Sequence, residues 1–406
     1  MSIQLPPDRL SRSQILINAL PIDHNYVSSG GPGTGKTLLA LLRAKKVLEG
    51  IAKKENRESR VLFIVYNRPL QNYLRNNIHK IGMMKYHATT YHSWLYGRIY
   101  NCNVKDVQNG EYKYDWEKVA INLKGDRNPN LDHVILDEAQ DLPRSLVETL
   151  TEISSNFTIF IDDNQAISGE SDLLTFDDAK RIIGDPYKTF PLLENHRNSQ
   201  AIVDFSQLFL KPGDIAPEAL NKGGRKPVVE IYNNTEAYAK RIVAYSANNP
   251  DQNVAVVMSN PTNRDLFYNE IINSGGKADQ YIDSRKTPDF DPDSKVIKVF
   301  TYKTHKGLEF DAVFLPELDA EYFNNETEQI RNQFMVAVTR AKERLFIGTK
   351  NYQYSASFVL QKIKENEDLV DISSISQDAS LSEIVNKRSE PPAFDASESF
   401  DDDIPF

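Results

Sequence analysis

The sequence predicts an α/β protein of two lobes, each built on a parallel sheet, followed by an acidic tail. Two stretches alternate short apolar runs with amphipathic helical patterns, as open parallel sheets do. A glycine loop ending in Lys36-Thr37 sits between the first apolar run and the first helical pattern. At 406 residues the chain is long enough for two domains of ordinary size.

The elements follow in order. His24 to Ser29 reads as a short strand entering the glycine loop, with a helix from Leu38 onward. Val61 to Val65, His133 to Leu136 and Phe157 to Ile161 are further buried strands. The second stretch begins near Lys188 and holds strands at Val254 to Met258, Val296 to Phe300, Ala312 to Leu315 and Arg344 to Ile347. Helical patterns lie between them at Thr235 to Ala247 and Asn263 to Ile272. A hinge is expected near Gly184 to Pro191, which divides the chain into lobes 1–187 and 188–371. From about Ile372 the residues are mostly Ser, Asp, Glu and Pro, too polar to bury, so 372–406 is expected to be disordered, with a short helix at Leu381 to Lys387.

Composition narrows the class. Hydrophobic residues make up 40% and charged residues 26%, the balance of a globular protein. No apolar run approaches the roughly 20 residues that cross a bilayer, so no membrane partner is expected. The single cysteine, Cys102, excludes an internal disulfide and a multi-cysteine zinc site. Met1 to Leu10 has no export pattern, and a reducing cytoplasm is the expected location. The formal net charge of -9 argues against a simple nucleic-acid coat protein, but a local basic groove remains compatible with it.

The chemistry is concentrated in two motifs. Gly30-Gly31-Pro32-Gly33-Thr34-Gly35-Lys36-Thr37 fits G-x-x-x-x-G-K-[ST]. Glycines let backbone N–H groups turn inward around phosphates, and a following helix N-terminus adds positive potential. Lys36 would reach the β- and γ-phosphates of ATP, and Thr37 would offer its hydroxyl to Mg²⁺. The apolar run Val134-Ile135-Leu136 ends in Asp137-Glu138. By itself this could be an acidic helix start. Beside a phosphate loop, Asp137 is a Mg²⁺ holder and Glu138 a base for the attacking water.

The full string Asp137-Glu138-Ala139-Gln140-Asp141 resembles motif II of superfamily 1 helicases of the UvrD/Rep kind, and other motifs of that family appear in order. Leu10-Ser11-Arg12-Ser13-Gln14 resembles the segment whose glutamine reads adenine, which implies Gln14. Val65-Tyr66-Asn67-Arg68 is similar to motif Ia and Thr90-Tyr91-His92-Ser93-Trp94 to motif Ib, both facing single-stranded DNA in the family. Asp162-Asp163-Asn164-Gln165 resembles motif III, with Gln165 as γ-phosphate sensor. Asn195-His196-Arg197-Asn198 resembles motif IV, and Thr301 to Asp311 (TYKTHKGLEFD) resembles motif V. Val336 to Ala341 (VAVTRA) resembles motif VI.

The resemblance implies two RecA-like P-loop lobes with ATP between them. Arg197 and Arg340 would be arginine fingers from the second lobe, each worth about 10³–10⁵ in rate in other phosphoryl-transfer enzymes. His196 would stack on adenine, and Gly307 and Glu309 would contact phosphate and ribose. Tyr66, Tyr91, His92 and Trp94 would offer faces for stacking on bases, with core packing between helices as the alternative for Tyr91 and Trp94. Asn67 and Thr90 belong to the same DNA-facing motifs, and Thr301 and Lys303 would hold backbone phosphates. The activity implied is ATP-driven movement on single-stranded DNA with 3′→5′ polarity. A non-motor alternative is an ATP-gated regulatory subunit partnering a nuclease or repair enzyme.

The sequence also departs from the family. Gln165 is followed by Ala166-Ile167-Ser168-Gly169-Glu170, without the usual aromatic and arginine. His196 replaces a tyrosine, Lys303 a DNA-facing histidine, and Met335 a frequent tyrosine. The gaps after Ser93 and after Arg197 are too short for large accessory subdomains, so a stripped two-lobe core is expected. The ending Asp401-Asp402-Asp403-Ile404-Pro405-Phe406 resembles the tip of bacterial single-stranded DNA-binding proteins. That resemblance implies docking onto proteins that recognise such a tip. Alternatively, the acidic tail would occupy the DNA groove as an internal competitor.

Overall fold

The computed structural model describes residues 10–375, apart from 67, 79–87, 97, 99–102, 106–111, 126–129, 169–171, 185–186, 212–213, 215, 283–290, 292–293 and 305. From residue 376 onward the expected tail, including its docking tip and the Leu381 to Lys387 helix, lies outside the described residues.

Two RecA-like lobes form around two parallel sheets. The first sheet has six strands in the order Ala88–Thr89, Val61–Ile64, His133–Leu136, Phe157–Ile161, Asn25–Ser29 and Tyr187–Thr189. Every neighbouring pair is parallel. The second sheet has seven, in the order Ala278–Gln280, Ile297–Thr301, Val254–Met258, Phe310–Leu315, Ala341–Thr349, Val228–Tyr232 and Asp371–Ile375, again all parallel.

The apolar strands are continuous rather than alternating because both faces of each sheet are covered. Leu62 and Ile64 enter one core of the first lobe, while Phe63 and Val65 enter the other. In the second lobe Ala255 and Val257 face one core and Val254, Val256 and Met258 the other. The helix Lys36–Glu55 turns Leu39, Ala40, Arg43, Ala44, Val47 and Ile51 inward, a stripe at three- and four-residue spacing.

The expected division at residues 187 and 188 is corrected by the sheet itself. Tyr187–Thr189 pairs with Asn25–Ser29, and Leu192 N–H donates to Ser29 at 2.7 Å, so the first lobe continues to Leu192. The expected end of the second lobe at 371 is likewise too early. Asp371–Ile375 is its edge strand, pairing with Val228–Tyr232, so the tail does not begin at 372. Among the described residues, the segment between Leu95 and His133 holds the antiparallel pair Asn103–Lys105 and Tyr112–Tyr114, then the helix Trp116–Lys124.

A buried polar network fastens the N-terminal segment to the first sheet. Arg43 donates to the carbonyls of Leu20 (2.6 Å) and Pro21 and to the Thr158 hydroxyl (3.4 Å). His133 lies 3.2 Å from the Ile22 carbonyl through Nδ1 and 2.9 Å from Thr158 Oγ1 through Nε2. A carbonyl only accepts, so Nδ1 carries the proton and Nε2 of the neutral ring accepts from the threonine. This sets the position of the helix Arg12–Ala19, which carries Gln14.

Candidate nucleotide site at the lobe interface

Parallel strands put their carboxyl ends on one edge, where α/β sheets hold ligands. In the first lobe that edge brings together the glycine loop after Asn25–Ser29, Asp137-Glu138 after His133–Leu136, and Asp162 after Phe157–Ile161. The glycine loop turns through left-handed backbone at Gly33 (φ +73°) and Gly35 (φ +84°). An added Cβ at Gly35 would lie 2.6 Å from the Gln14 amide, and one at Gly33 would collide with Asn195. Glycine here therefore serves two close approaches as well as the turn.

Lys36, at the N-terminus of its 20-residue helix, donates to the carbonyls of Gly30 (2.6 Å) and Gly31 (3.1 Å) and lies 3.8 Å from Asp162. Gln14 accepts from Ser11 N–H (3.1 Å) in a capping box and donates to the Thr34 carbonyl (3.0 Å). It thus braces the loop.

Asp137 is fully buried, and neither of its carboxylate oxygens has a hydrogen-bond partner. Burial and the neighbouring Glu138 push its carboxyl above the usual carboxylate range, against the pull of Thr37 and Lys36. An orphaned buried carboxylate facing a threonine hydroxyl is a hard-oxygen donor set that fits Mg²⁺. Among the described residues no group of three or more His, Cys, Asp or Glu side chains forms a metal cage by itself.

Glu138 stands on strained backbone, with φ +53° in the left-handed region, which non-glycine residues seldom occupy. Its Oε2 accepts from Gln140 at 2.7 Å, and Gln140 in turn accepts from Asp162 N–H at 3.0 Å. Burial works to raise Glu138, but Lys306, Lys36 and Arg340 outweigh it and hold the carboxyl below the usual carboxylate range.

The second lobe closes the site from above. His196 N–H donates to the Gly33 carbonyl at 2.9 Å, while the exposed imidazole stands beside the loop. Arg340 is buried, donates to Gln165 Oε1 at 2.9 Å and to the Val336 carbonyl at 3.0 Å, and is pulled down to about 9 by burial and by Arg197. Gln165 also donates to Asp162. Arg197 is half-buried and ion-paired with Glu309 at 2.8 Å. Glu309 therefore engages a finger candidate instead of standing open as a ribose contact. Gly307 turns at φ +81° with Leu70 of the first lobe 2.9 Å from where a Cβ would be, so it is a close-approach point between lobes.

The expected DNA-facing residues separate into two sets. Tyr91 and Trp94 have no open ring face: at 3% and 8% exposure they belong to the core of the first lobe, and Arg98 covers the Trp94 ring. Thr90 caps the helix Tyr91–Leu95, its hydroxyl bonded to Ser93, and buried Thr301 is tied to Thr304. In this structure these four are buried and bonded within the protein, with no side-chain face open to solvent. His92 and Lys303 are exposed, and Tyr66 is half-buried with Lys306 over its ring at 5.8 Å. Asn67 lies outside the described residues.

Residue-by-residue reading missed three features. Tyr96, 85% exposed, is the open aromatic of the motif Ib segment. Asn332 and Gln333 donate across the interface to the carbonyls of Ala166 (3.2 Å) and Ile167 (3.4 Å). Lys306, quoted only within motif V, is wholly buried against first-lobe acids. A lysine in a loop between two strands that must be covered was the available signal.

Comparison with known proteins agrees with this architecture. A yeast Dbp5 variant solved with Nup159, a Gle1 variant, IP6 and ADP shares the fold, with a TM-score of 0.51, 11% identity and 92% of each chain covered. The C-terminal domain of a "possible DNA helicase" from Lactobacillus plantarum WCFS1 is 22% identical, at a TM-score of 0.34, over 44% of this chain and 98% of that one. The "putative ATP-dependent DNA helicase R568" of Acanthamoeba polyphaga mimivirus is 29% identical over 275 residues, 59% of this chain. The chain spans 38% of the length of that relative. The family model described as "Schlafen group 3, DNA/RNA helicase domain" matches residues 23–315, more than half of the sequence. The chain belongs to that helicase-domain family.

Proposed function

We propose that this protein is an ATP-driven translocase of the superfamily 1 helicase kind, hydrolysing ATP between its lobes and moving along single-stranded DNA with 3′→5′ polarity. The observation that carries the reading is the convergence of Lys36, Glu138, Gln165 and Arg340 at one interface, from both lobes. The glycine loop and the N-terminus of the Lys36–Glu55 helix bind the phosphates, with Lys36 redirected from the loop carbonyls to the β- and γ-phosphates. Gln14 and His196 border the adenine. Thr37 and Asp137 would hold Mg²⁺, which would supply charge neutralisation at the phosphates. Glu138 accepts the proton of the attacking water as the bond from the γ-phosphorus to the bridging oxygen breaks. Arg340, and Arg197 once released from Glu309, neutralise the charge that builds on the departing group. His92, Lys303 and Tyr96 are the exposed groups for the nucleic-acid track, where base–aromatic stacking contributes about 1–3 kcal/mol per base.

One observation favours a second reading, the ATP-gated regulatory subunit. The Ala166-Ile167 segment, which lacks the stepping aromatic, is gripped by the second lobe instead. Displacement of streptavidin from strands biotinylated at one end separates the two. A translocase displaces it from the end it runs toward, in the presence of ATP only, and a gated binder does not. Running the assay on DNA and on RNA tests the substrate, since the family description names both. The acidic tip at Asp401 to Phe406 is proposed to dock onto proteins that recognise the single-stranded DNA-binding protein's tip. Unchanged partner binding after deletion of Phe406 would remove that idea.

A further inference from the structure

The loop after the strand Ile297–Thr301 carries two lysines in opposite settings, Lys303 exposed and Lys306 wholly buried. The Lys306 ammonium is ion-paired with Asp141, lies 3.5 Å from Glu138 Oε2, and donates to the Gln165 carbonyl at 2.7 Å. All three partners belong to the first lobe. A second-lobe cation is therefore inserted among the acids that follow the strand His133–Leu136.

Asp141 is held from its own side. Its Oδ1 accepts from Ile167 and Ser168 N–H at 2.8 Å each, leaving Oδ2 for the lysine. Glu138 is gripped from two directions at the same oxygen, by Gln140 at 2.7 Å from its own lobe and by Lys306 from the other. Neither lobe needs this arrangement for its core, since the apolar clusters on both faces of each sheet form without it. A buried ion pair is also a poor source of net stability, because desolvation offsets most of the attraction. What the arrangement does is fix the carboxylate of Glu138 when the lobes are together.

We propose that Lys306 is a positioning residue for Glu138, anchored by Asp141 when the cleft closes, so that turnover depends on it while nucleotide capture does not. This rests on the functional reading above. Lys306 reaches the acids, the Gln165 carbonyl and the Tyr66 ring, whereas the glycine loop is bordered by Gln14, Lys36 and the Asn195 to Arg197 segment. Losing Lys306 misplaces the base and leaves the phosphate cradle intact. A misplacement of about 1 Å at a reacting centre lowers rate by about 10²-fold.

The test uses two variants of the full chain. Lys306→Met keeps the apolar stem but leaves Asp141 buried and unpaired, so it lowers the unfolding temperature as well as kcat. Lys306→Met combined with Asp141→Asn removes that stranded charge and keeps an oxygen for Ile167 and Ser168. The double variant is expected to regain the unfolding temperature of the unaltered protein. It should bind a fluorescent ATP analogue within about twofold of normal affinity and remain depressed in kcat by about 10²-fold. A lock that is merely structural predicts kcat returning together with stability, and that result overturns the proposal. So does a defect confined to KM. Absence of hydrolysis in the unaltered protein is the separate outcome that overturns the functional reading, and the proposal with it.

Discussion

Arg340 Nη2 donates to Gln165 Oε1 at 2.9 Å, a bond that joins the second lobe to the first through two side chains each 1% exposed. Gln165 hands the contact on to Asp162, which lies 3.8 Å from the Lys36 ammonium. A cation from one lobe is thereby connected to the phosphate loop of the other by three side chains. On the proposed mechanism, nucleotide enters the middle of this chain and opening the cleft breaks it.

Arg340→Ala should lower ATP turnover by about 10³-fold or more, as loss of an arginine finger does elsewhere. Gln165→Ala should cost less, because it orients the finger without carrying charge. Steady-state ATPase of the two variants checks the order, and an Arg340→Ala protein within about tenfold of normal would contradict the assignment.

Lys36→Ala and Glu138→Gln should separate capture from chemistry. The first loses affinity for a fluorescent ATP analogue, since the ammonium is the loop's own cation. The second binds the analogue normally and turns over about 10²–10⁴-fold more slowly, the usual contribution of a general base. Equal loss of affinity in both would place Glu138 in binding instead.

Trp94→Ala and Lys303→Ala should have opposite signatures. Trp94 is a core residue of the first lobe, so its truncation should destabilise by about 3–5 kcal/mol in a thermal melt. Lys303 is exposed, so its truncation should leave the melt unchanged and weaken single-stranded DNA binding with a shallower salt dependence. The same loss of DNA binding from a stably folded Trp94→Ala protein would restore a stacking role to that ring.

How much of this was readable from the sequence follows from what each signal measures. The strands Val254–Met258 and Phe157–Ile161 were plain because a doubly covered parallel sheet leaves an unbroken apolar run. The glycine loop and the Asp137-Glu138 pair were plain because spacing and residue type are themselves the mechanism. Tyr187–Thr189 was lost as a strand because an edge strand of mixed polarity has no periodicity to detect. Tyr91 and Trp94 are ambiguous in the sequence because an aromatic residue has the same letter whether its face is open or packed. Lys306 has no role legible in the sequence because an inter-lobe ion pair joins residues 165 positions apart, a distance no local pattern spans.

His133 supplies a pH dependence of stability. Burial, and then the Arg43 charge, hold its imidazole at about 3 in the fold, below the ordinary 6.5. The unfolded chain binds a proton that the folded chain refuses. This contribution is thus fully present above pH 6.5 and is lost as pH falls toward about 3, with a slope of up to about 1.4 kcal/mol per pH unit. Denaturant melts across that window should show a shallower slope for His133→Asn than for the unaltered protein. Parallel slopes would mean that the ring is not held neutral.

The most direct test of the central claim is ATP hydrolysis by the purified protein with and without single-stranded DNA, with single-stranded RNA as a parallel arm. The account predicts Mg²⁺-dependent hydrolysis that single-stranded DNA stimulates and that Glu138→Gln slows by about 10²–10⁴-fold. Hydrolysis indifferent to DNA, stimulation by RNA alone, or turnover left at its normal rate by Glu138→Gln would contradict it.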